Sequence, residues 1–196
     1  MINFFNAIPA TLISFSALSI SLITLYLNFL RAFKGRVLFS ERVTILFLND
    51  IPSICLLCSM ENSGAIHGAC DDIRVEIKSI KNGSSNIFYP IIMKEYYSIF
   101  ENFNLTEWSQ FCAISLPAKC RKETHIIFKP LNDNYLAIDG GMEVSLQVRW
   151  YGKNNWENIG KKIDFTLTPE IAAYWRDKNN KPLQITSDTL MQYRTN

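Results

Sequence analysis

Cys55, Cys58, His67 and Cys70 have a spacing that could bind zinc, Cys-x2-Cys-x8-His-x2-Cys. Zinc takes soft and borderline ligands of this kind in tetrahedral sets of four. However, Cys55 and Cys58 lie in an apolar run typical of a β-strand, where side chains three residues apart point to opposite faces. No Gly or Pro between them bends the chain around a metal. We therefore interpret the cysteines as buried structural thiols, with zinc binding and disulfide formation as the alternatives.

A thiol–imidazole dyad is the only nucleophilic pair that the spacing suggests. Cys112 or Cys120 could pair with His125, and Cys120 and His125 flank a predicted turn. A chance proximity explains the spacing equally simply and is the interpretation we favour. The sequence contains neither Gly-x-Ser-x-Gly nor a Gly-rich phosphate loop. We therefore predict no catalytic residue, no cofactor and no enzymatic activity.

Carboxylates in predicted loops raise the alternative of a calcium site. Asp71, Asp72, Asp133 and Asp139 lie in or beside such loops, but no twelve-residue calcium-loop pattern fits them. Aspartates are common at turns because their side chains bond to the local backbone. We therefore predict no metal site.

Charge and composition indicate a β-rich domain without affinity for nucleic acid. The 196 residues include 20 Lys+Arg and 18 Asp+Glu, for a net charge of +2 with no basic cluster. Aromatic residues make up 13% of the chain, which suits a β-sheet core.

The residues from Ile8 to Leu30 predict a membrane-spanning helix. This segment and everything before it lack charged side chains, and its length exceeds the ~20 residues that cross a bilayer core. A cleaved signal peptide would need a basic start, a shorter apolar segment and a small-residue cleavage site, none of which is found. We predict an uncleaved anchor, with a buried core helix as the alternative.

Basic residues after the span predict its direction. Arg31, Lys34 and Arg36 follow it directly, whereas no Lys or Arg precedes it. Because such flanks face the cytoplasm, we expect the N-terminus to lie outside the inner membrane and the β domain to lie on its cytoplasmic side. A reducing cytoplasm agrees with free thiols. Ser14, Ala17 and Ser21 share one helix face, which offers a surface for homo-oligomerisation.

The rest of the chain predicts short antiparallel strands. Residues 72–80 and 142–150 alternate cleanly between apolar and polar side chains, as half-buried strands do. Further strands are predicted at 37–48, 54–60, 110–116, 124–128 and 161–167. The segment 87–92 contains Pro90 and is predicted to be an edge strand or extended at best. Residues 93–108 are ambiguous between a helix and a crossover.

These elements predict a mainly β fold: a transmembrane helix, an antiparallel immunoglobulin-like β-sandwich and a short C-terminal helix. We divide the chain into residues 1–34 (anchor), 35–168 (sandwich) and 169–196 (helix and tail). The helix is predicted from the cap Thr168-Pro169-Glu170, and the polar tail after it is predicted to be partly loose.

Two loops stand out from the strands. The segment 61–68 contains Asn62, Gly64 and Gly68, which we attribute to turn geometry. Trp150, Tyr151 and Trp156 surround the last hairpin, and we expect core or turn packing, with partner contact as the alternative.

The run Leu56–Gly64, followed by Gly68–Val75, resembles a strand–turn–strand region of bacterial immunoglobulin-like modules. With the preceding anchor, the chain resembles small, uncharacterised bacterial single-pass membrane proteins. The resemblance carries no catalytic residues. We therefore expect a non-enzymatic interaction or scaffold module with a protein partner, as a subunit of a larger membrane assembly or defence system. The alternative is an anchored sensor whose sandwich binds a small ligand.

Overall fold

The computed structural model describes residues 4–48, 50–81, 83–95, 108–131, 140–168, 171, 173 and 182–186. The fold is mainly β, with one apolar helix at the N-terminus. The predicted fold class is confirmed at this level.

Helix α1 spans Phe4–Leu25 and continues as a π-helical turn over Tyr26–Leu30. Within the described residues, Thr11–Leu30 is the one helical segment long and apolar enough to cross a membrane, and none of it is buried. The hydroxyls of Ser16, Ser19 and Ser21 donate hydrogen bonds to carbonyls three or four residues earlier. These hydroxyls are therefore satisfied inside the helix and do not require a second helix.

Within the described parts of the chain, ten strands follow the helix. They are β1 (Gly35–Leu48), β2 (Ile51–Asn62), β3 (Gly68–Ser79), β4 (Ser85–Glu95), β5 (Ser109–Gln110), β6 (Ile114–Leu116), β7 (Arg121–Pro130), β8 (Gly140–Trp150), β9 (Glu157–Leu167) and β10 (Leu183–Thr186).

The strands form one antiparallel sheet in the order β10-β1-β2-β7-β4-β3-β8-β9, with β5 on β4 and β6 on β3. The sheet curls into a half-barrel, so the predicted immunoglobulin-like sandwich is not confirmed. Because β4 pairs with both β7 and β3, it joins β1, β2 and β7 to β8 and β9 in one sheet, whereas a sandwich would divide these strands between two sheets.

The main core fills the inside of the curl. The alternating side chains of β3 and β8 supply it, including Ile73, Val75, Leu146 and Val148, all at most 1% exposed. A small second cluster, separate from the main core, consists of Leu46, Cys55 and Ile127, and Trp108 packs against this second cluster. The strand periodicity predicted both alternating strands.

Two strand predictions are wrong. Strand β4 is internal, between β7 and β3, although Pro90 predicted an edge. The β4–β7 register shifts between Pro90 and Ile92, and such an irregularity accommodates a residue that cannot donate a hydrogen bond. The single strand predicted at 110–116 is instead two short strands, β5 and β6, which pair with different neighbours.

The C-terminal segment also differs from the prediction. Residues Leu183–Thr186, expected in a loose tail, form β10 and pair with Arg42–Ile45 of β1. Ile171 is helical and packs against the core, whereas most of the predicted helix lies outside the described residues. Residues 96–107 of the ambiguous segment also lie outside them.

Candidate functional site

The segment that leaves the helix, Arg31–Lys34, forms backbone hydrogen bonds with the β domain. The Ala65 N–H donates to the Arg31 carbonyl at 2.8 Å, and the Ser63 N–H donates to the Lys34 carbonyl at 3.1 Å. The exit segment thus pairs with the loop between β2 and β3. We call this contact region, with the turn 117–120, the junction.

Asn62 is the centre of the junction and is fully buried. Its Nδ2 donates to the carbonyls of Ile66 (2.9 Å), Leu116 (3.1 Å) and Pro117 (3.1 Å). Its Oδ1 accepts from the Gly64 N–H at 2.9 Å. One side chain therefore ties the β2–β3 loop to the β6–β7 turn, and it satisfies backbone groups that burial would otherwise leave unpaired.

Two glycines let the exit segment approach the loop. A Cβ on Gly64 would lie 2.2 Å from the Ala32 carbonyl oxygen, and one on Gly68 would lie 2.1 Å from the Phe33 ring. Among described residues, the glycines with positive φ are Gly83 and Gly152. The attribution of Gly64 and Gly68 to turn geometry is therefore wrong: close approach requires them.

Aromatic packing extends the junction to the β8–β9 hairpin. The rings of Phe33 and Trp150 are 5.3 Å apart and meet edge to face at 71°. Trp150 is 4% exposed, and its Nε1 donates to Glu157 Oε2 at 3.0 Å. Lys153 pairs with the other oxygen of Glu157 and, as the main cause, lowers the pKa of that carboxyl. The expected core packing holds for Trp150, whereas Tyr151 is exposed.

The turn before β7 contacts the end of the helix. Lys119 Nζ donates to Asn28 Oδ1 at 2.6 Å, and the Lys119 N–H donates to the Gly64 carbonyl at 3.2 Å. The Asn62 N–H donates to the Cys120 carbonyl at 2.9 Å. Helix, exit segment, loop and turn are thus linked by hydrogen bonds at one end of the half-barrel.

The residues predicted to set membrane direction all belong to this end. Lys34 and Arg36 are exposed, whereas Arg31 is half-buried. Arg36 lies opposite Glu61 in the β1–β2 register. The direction of the span stays a prediction.

A polar network covers the outer face of β3 and β8. Two guanidinium groups lie within cation–π distance of the Trp156 ring centroid, that of Arg74 at 4.2 Å and that of Arg149 at 5.2 Å. Arg149 also pairs with Asp71 (3.2 Å) and Asp72 (3.4 Å). These two aspartates, considered as calcium ligands, thus have a guanidinium partner. Asp133 and Asp139 lie outside the described residues.

A shallow cavity of about 210 Å³ lies where β9 bulges away from β8. Its charged lining residues are Glu76, Lys78, Glu143 and Lys162. Lys162 donates to Glu143 at 2.8 Å, which raises the pKa of Lys162. The cavity is smaller than the ~300–1,000 Å³ usual for ligand sites.

The cysteines of the zinc hypothesis do not converge. Cys58 and Cys70 lie in the main core, whereas Cys55 lies in the second cluster, as the strand period predicts. Burial raises the pKa of Cys55 to about 12 and, with smaller contributions from nearby charges, that of Cys70 to about 12. His67 is exposed, 3.5 Å from Ser115 Oγ. Among described residues, no group of three or more potential metal ligands occurs, and all five thiols are free.

The structure also separates the thiol–imidazole pair. Cys120 precedes β7, and His125 lies four residues into that strand, so about 13 Å of extended chain separates Arg121 from His125. Cys112 and Cys120 are exposed, whereas His125 is buried. The spacing of Cys120 and His125 is therefore a chance proximity.

No model of a known protein family matches this sequence, and no curated protein matches it either. Among solved structures, the chain is similar to a family 123 glycoside hydrolase from Clostridium perfringens, described in connection with glycolipid glycan hydrolysis. Identity is 12% and the TM-score is 0.35, over 70% of this chain and 27% of the hydrolase. Similarity at this level supports no conclusion about fold or activity.

Proposed function

We propose that this chain is a membrane-tethered, non-enzymatic interaction module. Its half-barrel presents a fixed surface at the cytoplasmic face of a bacterial inner membrane, within a larger assembly or defence system. The observation that carries the proposal is the hydrogen bonding of Arg31–Lys34 into the β domain. A flexible tether would let the domain rotate freely, whereas a bonded exit segment fixes its orientation to the helix.

The outer edge of β9 is the surface best suited to a protein partner. Strand β9 ends the strand order, spans 11 residues and, within the described part of the chain, pairs with β8 alone. Such an edge offers backbone donors and acceptors to an added strand. Its inward residues Ile163 and Phe165 are buried, so the edge is held in register by the core.

Affinity purification of the full chain from bacterial membranes in detergent tests the proposal. We expect a protein partner at a fixed stoichiometry that persists through gel filtration. A monodisperse chain that carries only a metabolite would contradict it and would favour the sensor alternative. That alternative draws on the cavity beside Lys162, whose small volume and paired charges support it less well.

Reporter fusions after Asn196 test the orientation. A reporter active only in the cytoplasm should work at this position, and one active only in the periplasm should not. The opposite result would place the β domain outside the inner membrane.

A further inference from the structure

We propose that the junction rests on the anionic phospholipid headgroups of the leaflet that the β domain faces. This inference depends on the proposed membrane tether and names the partner of the junction's outer surface. Two features carry it: the level of the turn 117–120 relative to the helix, and the charge. Exposed side chains at the same end, one of them a tyrosine, agree with it.

The level follows from Lys119 and Asn28. The 2.6 Å bond between Lys119 Nζ and Asn28 Oδ1 brings this turn to the last turn of the apolar segment Thr11–Leu30. Asn28 precedes Leu30 by two residues, or about 3 Å of helix rise. If the apolar segment fills the hydrocarbon core, the turn must lie at headgroup depth.

Exposed apolar side chains occur at the same end. Ile66, in the β2–β3 loop, is 48% exposed, and Tyr151, in the β8–β9 hairpin, is 76% exposed. The Tyr151 N–H donates to the Ala69 carbonyl, so the hairpin and the start of β3 form one rim. Tyrosine is enriched at the level of lipid headgroups, where its ring is apolar and its hydroxyl is hydrated.

The charge of this rim is positive. Among the described residues, no carboxylate forms a salt bridge with Arg31, Lys34 or Lys119. The acidic groups at this end have basic neighbours. Arg36 lies opposite Glu61 in the sheet register. Salt bridges join Asp71 and Asp72 to Arg149, and Glu157 to Lys153. The remaining cations match anionic headgroups, which attract each nearby Lys or Arg.

The test uses the full chain in nanodiscs whose lipids carry a headgroup nitroxide quencher. A fluorophore on Cys120 reports on the junction. For the control, a Lys81→Cys, Cys112→Ser, Cys120→Ser variant carries the fluorophore at the opposite end of the sheet. Lys81 is exposed, and β3, from Gly68 to Ser79, separates it from the junction by about 36 Å. The Cys120 measurement uses a Cys112→Ser background.

We expect quenching at Cys120 to exceed that at position 81 by several-fold. It should rise further when phosphatidylglycerol replaces part of the phosphatidylcholine. The double variant Lys34→Gln, Lys119→Gln should lose that rise, because it removes two of the cations. Equal quenching at both positions would overturn the inference. Quenching that is strong but independent of phosphatidylglycerol would overturn its anionic specificity.

Failure of the membrane tether itself gives a different result. A chain that does not co-elute with nanodiscs in gel filtration contradicts the proposed function. A chain that co-elutes, with equal quenching at both labels, contradicts only the contact between junction and headgroups.

Discussion

The ring of Phe33, three residues beyond the apolar helix, packs edge to face on Trp150, the last residue of β8, at 5.3 Å. The contact links the start of the charged region to a strand more than one hundred residues later. Gly35 permits it, because a Cβ there would lie 2.5 Å from the Trp150 ring. The contact and the hydrogen bonds of Asn62 make the helix exit a part of the half-barrel core.

Replacing Asn62 should destabilise the β domain strongly. Asn62→Ala leaves three carbonyls and the Gly64 N–H without this partner in a buried site, so we expect a loss of about 2–4 kcal/mol in the free energy of unfolding. Urea unfolding of the full chain in detergent measures it. The matched control is Ser63→Ala, whose hydroxyl makes only an exposed 3.5 Å contact and should cost less than about 0.5 kcal/mol. Equal losses would refute a central role for Asn62.

Gly64→Ala should disturb the junction through sterics alone. The new Cβ meets the Ala32 backbone oxygen, which cannot rotate away, so we expect a cost of about 1–3 kcal/mol. Gly83→Ala is the control: a Cβ there meets no atom within 4 Å, and its φ of +69° costs about 1–2 kcal/mol. Only Gly64→Ala should also change the tryptophan fluorescence of the chain, because the exit segment that it displaces carries Phe33, which packs on Trp150. An unchanged spectrum would indicate that the loop does not confine the exit segment.

Thiol reactivity should divide the five cysteines into two classes. Cys112 and Cys120 are exposed and should react rapidly with a maleimide at pH 7.5. Cys55, Cys58 and Cys70 should react only after unfolding, because burial shields them and raises their pKa values. Intact-mass spectrometry should show two additions to the native chain and five to the unfolded chain. Three or more rapid additions would contradict the buried positions.

His125 should make stability depend on pH. Burial is the main cause that lowers its pKa to about 4, with a contribution from Lys94 on the neighbouring strand, while Glu123 acts in the opposite sense. As the pH falls, His125 therefore takes up a proton near pH 6.5 in the unfolded chain but only near pH 4 in the folded chain. Its contribution to stability is complete above pH 6.5 and is lost as the pH falls to 4.

The variant His125→Gln isolates this contribution. Because Gln does not titrate, the free energy of unfolding of the variant should fall less between pH 6.5 and 4 than that of the unsubstituted chain. The carboxylates add the same pH dependence of stability to the variant and to the unsubstituted chain. Parallel curves over this range would contradict a buried neutral His125.

The sequence predicted the parts of this fold that local patterns determine. Residues 72–80 and 142–150 alternate with period two, and the structure contains strands β3 and β8 there. The same period placed Cys55 and Cys58 on opposite faces. The half-barrel could not be predicted, because strand order depends on which distant segments pair, as β7 does with β2 and β4.

The junction could not be predicted from the sequence either. Asn62 and Gly64 lie in a sequence that an ordinary turn would explain, and their role depends on a segment about thirty residues earlier. The one available signal was the clustering of Asn62, Gly64 and Gly68 between two strands, which is compatible with either interpretation. Tertiary contact, rather than local conformation, selects these residues.

We expect the helix and the half-barrel to form one rigid unit through the junction. Pulsed electron–electron double resonance in nanodiscs tests this by measuring the distance between two spin labels. The labels are attached at Ser16→Cys on α1 and Asp164→Cys on β9, in a chain whose Cys112 and Cys120 are replaced by Ser. Both labelled positions are exposed. A rigid unit predicts a narrow distance distribution that broadens in the Asn62→Ala variant. A broad distribution in the chain that retains Asn62 would contradict a rigid unit.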